Sequence, residues 1–265
     1  MRRAGQLAMI AAGLTGGLIA YGAWVRVSGS GLGCPDWPLC EGVVIPKLEG
    51  DTAIEFGHRF YAGITMLVVG IASWFAYRAR REDRLGAQLI LGAFCAILVQ
   101  AILGGITVLT ELHGMVRLAH LSVAMLTLAL LSAGAVRTMD ISGLELPGVR
   151  RSTVMLIGTG FVILMGGSIV GLGESFGCPG LPLCDDRSGI DATWLHGIHR
   201  VSGVLLLVGF LWTAFQVRGR NDSGLPVALN LVAALMLTGQ IVIGVSAVAM
   251  AMPGYLRVIH LAVAT

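Results

Sequence analysis

The sequence predicts an all-α, polytopic membrane protein: two tandem four-helix bundles related by a pseudo-two-fold axis along the membrane normal. Three observations predict it. Of the 265 residues, 55% are hydrophobic and only 12% are charged, with a mean hydropathy of +0.83, a balance that soluble domains do not show. Uncharged stretches recur at membrane-spanning length. The second half of the chain also repeats landmarks of the first.

The elements follow in chain order. Uncharged runs cover Gly5 to Val25, Phe60 to Tyr77, Leu85 to Thr110, Leu118 to Val136, Ser152 to Gly173, Val201 to Val217 and Ser223 to Leu256. At about 1.5 Å per residue each suffices to cross a hydrocarbon core of roughly 30 Å, so they read as seven transmembrane helices. An eighth begins near Tyr255, and the sequence ends at Thr265, roughly half a membrane later, so this helix reads as truncated. The first run is already long enough to span and no A-x-A-like site follows it, so no cleaved signal peptide is expected.

Lys and Arg mark the cytoplasmic side of such a chain. Arg2, Arg3, Arg78, Arg80, Arg81, Arg84, Arg137, Arg150, Arg151, Arg218 and Arg220 fall on one side, while the opposite connections hold only Lys47 and Arg187 in open loop, with most of the acids. The N-terminus is therefore expected in the cytoplasm. Two heptapeptides on the outer side, CPDWPLC at 34–40 and CPGLPLC at 178–184, are bounded by cysteines. An oxidising compartment permits the pairs Cys34–Cys40 and Cys178–Cys184; a zinc site or a redox pair is the competing reading. Closing so short a loop gains only about 2 kcal/mol, which makes local shaping the larger benefit. Cys95, alone in the third span, reads as ordinary packing.

The repeated loop belongs to a larger repetition. An offset of 140 aligns Gln100 with Gln240, Arg117 with Arg257 and His120 with His260; 141 aligns His58-Arg59 with His199-Arg200; 144 aligns the Cys-bounded loops. Two copies of a four-helix unit, 1–145 and 146–265, are the simplest account. Four crossings is an even number, so the copies share one orientation.

Six histidines, His58, His113, His120, His196, His199 and His260, lie at or just before the outer ends of even-numbered helices. Within each half one opens the second helix and one the fourth: His58 with His120, then His199 with His260. Two imidazoles at matching depth in one bundle are what a planar metal macrocycle requires, one above and one below the iron. Zinc or copper is the rival, but such sites want three or four converging ligands and only two histidines repeat per half. Arg59 and Arg200 directly follow the first His of each pair, and Arg117 and Arg257 precede the second by one helical turn. These four cations are candidates for holding haem propionates; snorkelling to the headgroups is the alternative for each.

Together, the Cys- and Pro-rich loops, E-x-x-H-R at Glu55, His58 and Arg59, R-x-x-H at Arg117 to His120, H-R at His199 and Arg200, and R-x-x-H at Arg257 to His260 resemble the haem A synthase family. The resemblance extends over essentially the whole chain, including the four-plus-four duplication. It implies conversion of haem O to haem A for terminal oxidases, with one ring methyl oxidised to a formyl group, oxygen drawn from water and electrons leaving stepwise. It implies a haem b cofactor on His199 and His260 in the C-terminal half, and the substrate haem O on His58 and His120 in the N-terminal half. A bacterial cell membrane, haem sites near the outer face, a haem O-producing farnesyltransferase and oxidase-assembly factors are implied as setting and partners.

The halves differ in their ionisable groups. Glu55 aligns with His196, Glu111 with Ala251 and His113 with Pro253, so the first half is richer in proton-handling side chains. Glu55 lies one turn before His58, and both can face one cavity. Glu55 is expected as the catalytic base or as a stabiliser of charge developing on the methyl carbon; a solvent-facing cap on the helix N-terminus is the alternative. A diheme b-type electron carrier would use the same four histidines but gives no reason for the unequal acids. A parallel-repeat transporter would break helices at the bilayer midplane. A homo-oligomer is compatible with the sequence, and no nucleic-acid partner is expected.

Overall fold

The structure is a computed structural model that describes residues 1–139, 149–171, 177–182, 184, 190–218 and 225–265. The expected boundary between residues 145 and 146, and Arg187 and Arg220, lie outside the described residues. Eight α-helices run through these segments: α1 (Arg2–Ser28), α2 (Gly50–Arg78), α3 (Arg84–Leu109), α4 (Gly114–Thr138), α5 (Val149–Gly171), α6 (Ile190–Val217), α7 (Leu225–Ala249) and α8 (Gly254–Ala264). Among the described residues, α1, α2, α3, α4, α6 and α7 contain six stretches long and apolar enough to cross a membrane. Helix α5 runs for 23 residues, with Val154–Val170 apolar among its described residues, and α8 runs for 11 residues. The protein is an all-α, multi-pass membrane protein.

Helix α2 begins well before the uncharged run at Phe60, and α6 well before Val201. In α2 the intervening charges are accommodated rather than expelled. Asp51 lies in the first turn, where the helix dipole favours an acid, and its Oδ1 accepts from Ser30 Oγ at 2.8 Å. Glu55 pairs with Arg59 one turn on. The long run from Ser223 to Leu256 is broken instead. Between α7 and α8, Ala251 and Met252 adopt left-handed φ of 57° and 60°, as Glu111 and Leu112 do between α3 and α4 at 51° and 63°. The bonding repeats as well: the Leu112 N–H donates to the Thr107 carbonyl at 2.8 Å and the Met252 N–H to the Ala247 carbonyl at 2.6 Å. Each Cβ-bearing residue held there costs about 1 kcal/mol or more.

The chain divides into two compact units, Met1–Ile141 with Thr265, and Ser142–Ala264. In the first, α1 packs on α2 and α4, and α3 on the same two. Its core is rich in alanine: Ala4, Ala8 and Ala11 of α1, Ala72 and Ala76 of α2, Ala87 and Ala93 of α3 and Ala135 of α4 surround Val69, Ile90 and Leu131. Small side chains let helix backbones approach closely. These residues cluster where α1 and α3 begin and α2 and α4 end. The same end is clasped by the Met1 ammonium on Glu82, by Asp83 capping the Gly86 N–H at 3.1 Å, and by Arg137 on Asp83 at 3.2 Å. The histidines lie at the other end. Cys95, expected in ordinary packing, is an exposed free thiol on α3, on a face its neighbours leave uncovered. In the second unit α5, α6, α7 and α8 pack each on the next.

Candidate functional site

Both heptapeptides are closed by disulfides, Cys34–Cys40 with a Cα–Cα distance of 4.7 Å and Cys178–Cys184 at 4.9 Å. Loops this tight cannot pair their own carbonyls, and an arginine does it for them. Arg59 Nη1 donates to the Asp36 and Leu39 carbonyls at 2.8 and 2.9 Å, and Nη2 to the Cys34 carbonyl at 2.9 Å. Arg200 repeats the arrangement on Gly180, Pro182 and Cys178 at 2.7, 2.9 and 3.1 Å. Arg59 and Arg200, read from the sequence as propionate candidates, therefore turn their guanidiniums to the loops. The far side of the first loop is closed by Asp36, whose carboxylate accepts the Glu41 and Gly42 N–H groups at 2.6 and 2.8 Å. The Gly42 amide chiefly, with the Glu41 amide and the Arg59 charge, holds the Asp36 carboxyl below its ordinary pKa.

Each paired histidine rests on a glycine of the preceding helix. A methyl group built on Gly22 of α1 would fall 3.2 Å from Cε1 of His58, and on Gly104 of α3 3.3 Å from Cε1 of His120. In the second unit, Gly166 of α5 and Gly244 of α7 stand 3.0 Å by the same measure from Cε1 of His199 and His260. The missing Cβ lets an imidazole lie against helix backbone and reach a carbonyl one turn back. His199 Nδ1 lies 3.1 Å from the Val162 carbonyl, four residues before Gly166. With Nδ1–H donating there, Nε2 keeps its lone pair for a metal. Gln240 ties α7 to the middle of α8 through Nε2, which donates to the His260 carbonyl at 2.7 Å. Tyr21 stands edge-on to His58, with centroids 5.6 Å apart.

The His199 and His260 ring centroids are 6.5 Å apart, with planes inclined by 71°. With a metal–nitrogen bond of about 2 Å and an imidazole radius of about 1.1 Å, two imidazoles sharing one metal would stand at most roughly 6.2 Å apart, centre to centre. The residues present therefore fit a metal macrocycle between them. Unpartnered polar atoms point the same way. Nε of Arg117 and Oε1 of Gln100 are buried with no hydrogen-bond partner, at a cost of about 1–3 kcal/mol each if left so. Among the described residues no group of three or more His, Cys, Asp or Glu converges as a metal site, so the histidine pairs are the available ligand sets.

Glu55 is buried, 6% exposed, and accepts from Arg59 Nε through Oε1 at 3.1 Å. It lies in the second turn of α2, so it is no solvent-facing cap. His196, at its counterpart position in α6, is equally buried. Of the four glycine seats, Gly104 and Gly166 read from the sequence only as small residues that allow close helix approach around a flat ligand, and Gly22 and Gly244 were missed. Their signal is that Gly22 and Gly166 share the offset of the Cys loops, and Gly104 and Gly244 that of His120 and His260.

A family model described as cytochrome oxidase assembly protein, COX15-CtaA, matches residues 5–54 and 49–265. The chain is 30% identical over 243 residues to the Heme A synthase of Symbiobacterium thermophilum, covering 83% of this chain and 79% of that one. The Heme A synthase of Shouchella clausii is 30% identical over 250 residues, 87% of this chain and 82% of its own. That of Alkalihalophilus pseudofirmus is 28% identical over 253 residues, with the same coverage of 87% and 82%. Matched along nearly its whole length, the chain belongs to the COX15-CtaA family, the family of the haem A synthases.

Proposed function

We propose that the protein is a haem A synthase that oxidises a ring methyl of haem O to a formyl group, with water supplying the oxygen and the electrons and protons leaving stepwise to an external electron acceptor and to water, giving haem A for terminal oxidases. The reading assigns haem b to His199 and His260 in the second unit and haem O to His58 and His120 in the first. It takes the two units as tandem copies about an axis along the membrane normal, with both sites toward the outer face. The observation that carries it is the 6.5 Å spacing of the His199 and His260 rings, which would let the two imidazoles hold one haem iron between them.

When bound, haem b supplies one-electron redox chemistry. The chain's own residues bind, orient and move protons. His58 and His120 hold the substrate from both faces, which directs chemistry to its edge. Glu55, steadied by Arg59 through Oε1, accepts a proton released there or, while ionised, stabilises positive charge developing on the methyl carbon. Arg117, with its buried unpartnered Nε, and Arg257 at the matching position meet the propionates. Arg59 and Arg200 support these sites by holding the loops. A farnesyltransferase supplying haem O and an oxidase-assembly factor receiving haem A complete the setting.

Pyridine haemochrome spectra combined with chromatography of extracted haems test the proposal. Purified protein should carry haem b together with haems O and A, and His199→Ala or His260→Ala should abolish the stable haem b signal. Haem b alone would mark a diheme electron carrier. Loss of haem b in His58→Ala with retention in His199→Ala would reverse the assignment of the units.

A further inference from the structure

The two Cys-bounded loops differ at one side chain that has no role so far. In register, Trp37 of the first loop corresponds to Leu181 of the second, and the offset that matches Gly104 to Gly244 sets Gly105 against Val245. A large residue and a bare backbone in one unit thus stand where the other has two side chains of middling size. In the first unit the pair is a contact. A methyl group on Gly105 would fall 2.6, 2.9 and 3.0 Å from Cδ2, Cε2 and Cε3 of Trp37, so the indole lies on α3 where no Cβ intervenes.

The preceding residue, Gly104, seats His120. Indole and imidazole therefore rest on successive residues of one helix, about 1.5 Å apart along its axis and about 100° apart around it. The loop that carries Trp37 is fixed on both sides, since Arg59 holds the carbonyls of Asp36 and Leu39 and the Cys34–Cys40 disulfide closes it. The same Arg59 binds Glu55. Trp37 nonetheless stays 41% exposed, so packing on Gly105 does not use all of its flat apolar surface.

We infer that Trp37 is a specificity-determining wall of the first-unit site: laid on Gly105 beside His120, its indole packs against the edge of the macrocycle held by His58 and His120 and fixes which edge faces Glu55. The inference rests on the assignment of haem O to that unit. Leu181 offers no such flat surface, in keeping with a cofactor that is not presented to a carboxylate.

The test uses the full chain, with KM and kcat for haem O measured beside haem b content. Trp37→Leu should raise the haem O KM about tenfold, the scale of a lost aromatic contact, while haem b content stays at the wild-type level. Trp37→Phe should restore KM to within about threefold of wild type. Gly105→Ala, which puts a methyl group where the indole lies, should behave like Trp37→Leu. Wild-type KM in both Trp37→Leu and Gly105→Ala overturns the inference, as does equal impairment in Leu and Phe or a parallel loss of haem b, each the mark of a loop anchor. His58→Ala in the same assay separates the two levels. If it keeps haem O binding, the assignment of the unit fails; if it loses binding while Trp37→Leu does not, the wall alone fails.

Discussion

Replacing Gly166 with Ala puts a methyl carbon 3.0 Å from Cε1 of His199. Carbon atoms in ordinary contact stand about 3.5–4.0 Å apart, so the imidazole must retreat by roughly half an ångström. Metal–nitrogen distances tolerate about 0.2 Å, and the 3.1 Å approach of Nδ1 to the Val162 carbonyl is disturbed by the same move. Loss of a partner that orients a metal-bound histidine costs about 10- to 100-fold in affinity. We therefore expect Gly166→Ala to lose most of its haem b during purification, read as pyridine haemochrome per mole of protein. Gly160 of the same helix has nothing within 4 Å of an added Cβ, so Gly160→Ala should keep its haem and gain up to about 1 kcal/mol of helix propensity. Gly244→Ala and Gly239→Ala form a second such pair on α7, with His260 at 3.0 Å and open space respectively. Gly22→Ala and Gly104→Ala, at 3.2 and 3.3 Å from their histidines, should disturb the first unit less. Full haem b occupancy with an unchanged spectrum in both Gly166→Ala and Gly244→Ala would refute the idea that these glycines seat the ligands.

Glu55→Gln should keep haem binding but lower haem A formation by about 100- to 10,000-fold, the usual cost of a lost base or electrostatic stabiliser; haem O or a partly oxidised alcohol should accumulate in extracts, and near-normal haem A would remove Glu55 from the chemistry. Arg59→Lys gives up the fork that spans three loop carbonyls, so Cys34 and Cys40 should be alkylated faster after mild reduction. Arg117→Gln should leave that rate unchanged and weaken haem O binding instead. The folded-state pKa of Asp36 is depressed, so its hold on the Glu41 and Gly42 amides is fully present above its ordinary value of 3.8 and is lost as pH falls through the lower folded value. Protection of those amides from hydrogen exchange should therefore drop only in that acidic window, and Asp36→Asn should abolish the pH dependence.

Hydropathy alone located the helices, because uncharged runs such as Leu85 to Thr110 have few alternatives to a helix when backbone polar groups leave water. It misplaced the starts of α2 and α6, since a rule that ends a span at a charge cannot see Glu55 pairing with Arg59 inside the helix. It also ran α7 into α8, because Ala251 and Met252 carry no glycine or other mark of the left-handed backbone they adopt. The four histidines were legible through their register. The arginines following His58 and His199 were legible as important but not as loop clasps, because the acceptors are backbone carbonyls that look alike in any sequence. With 38 glycines in the chain, Gly104 and Gly166 were legible only as places of close helix approach, and the seating of a histidine on each of the four emerged from the side chains resting on them.

In Met1–Ile141 the alanine core and its charged clasps sit at one end of the helices and the histidines at the other. Cohesion and chemistry thus draw on separate residues, and an exchange at the histidine end does not loosen the joint that keeps the helices together. Residues at that end can therefore change while the scaffold beneath need not be reinvented, and it is there that matching positions of the chain differ, Glu55 against His196 and Trp37 against Leu181.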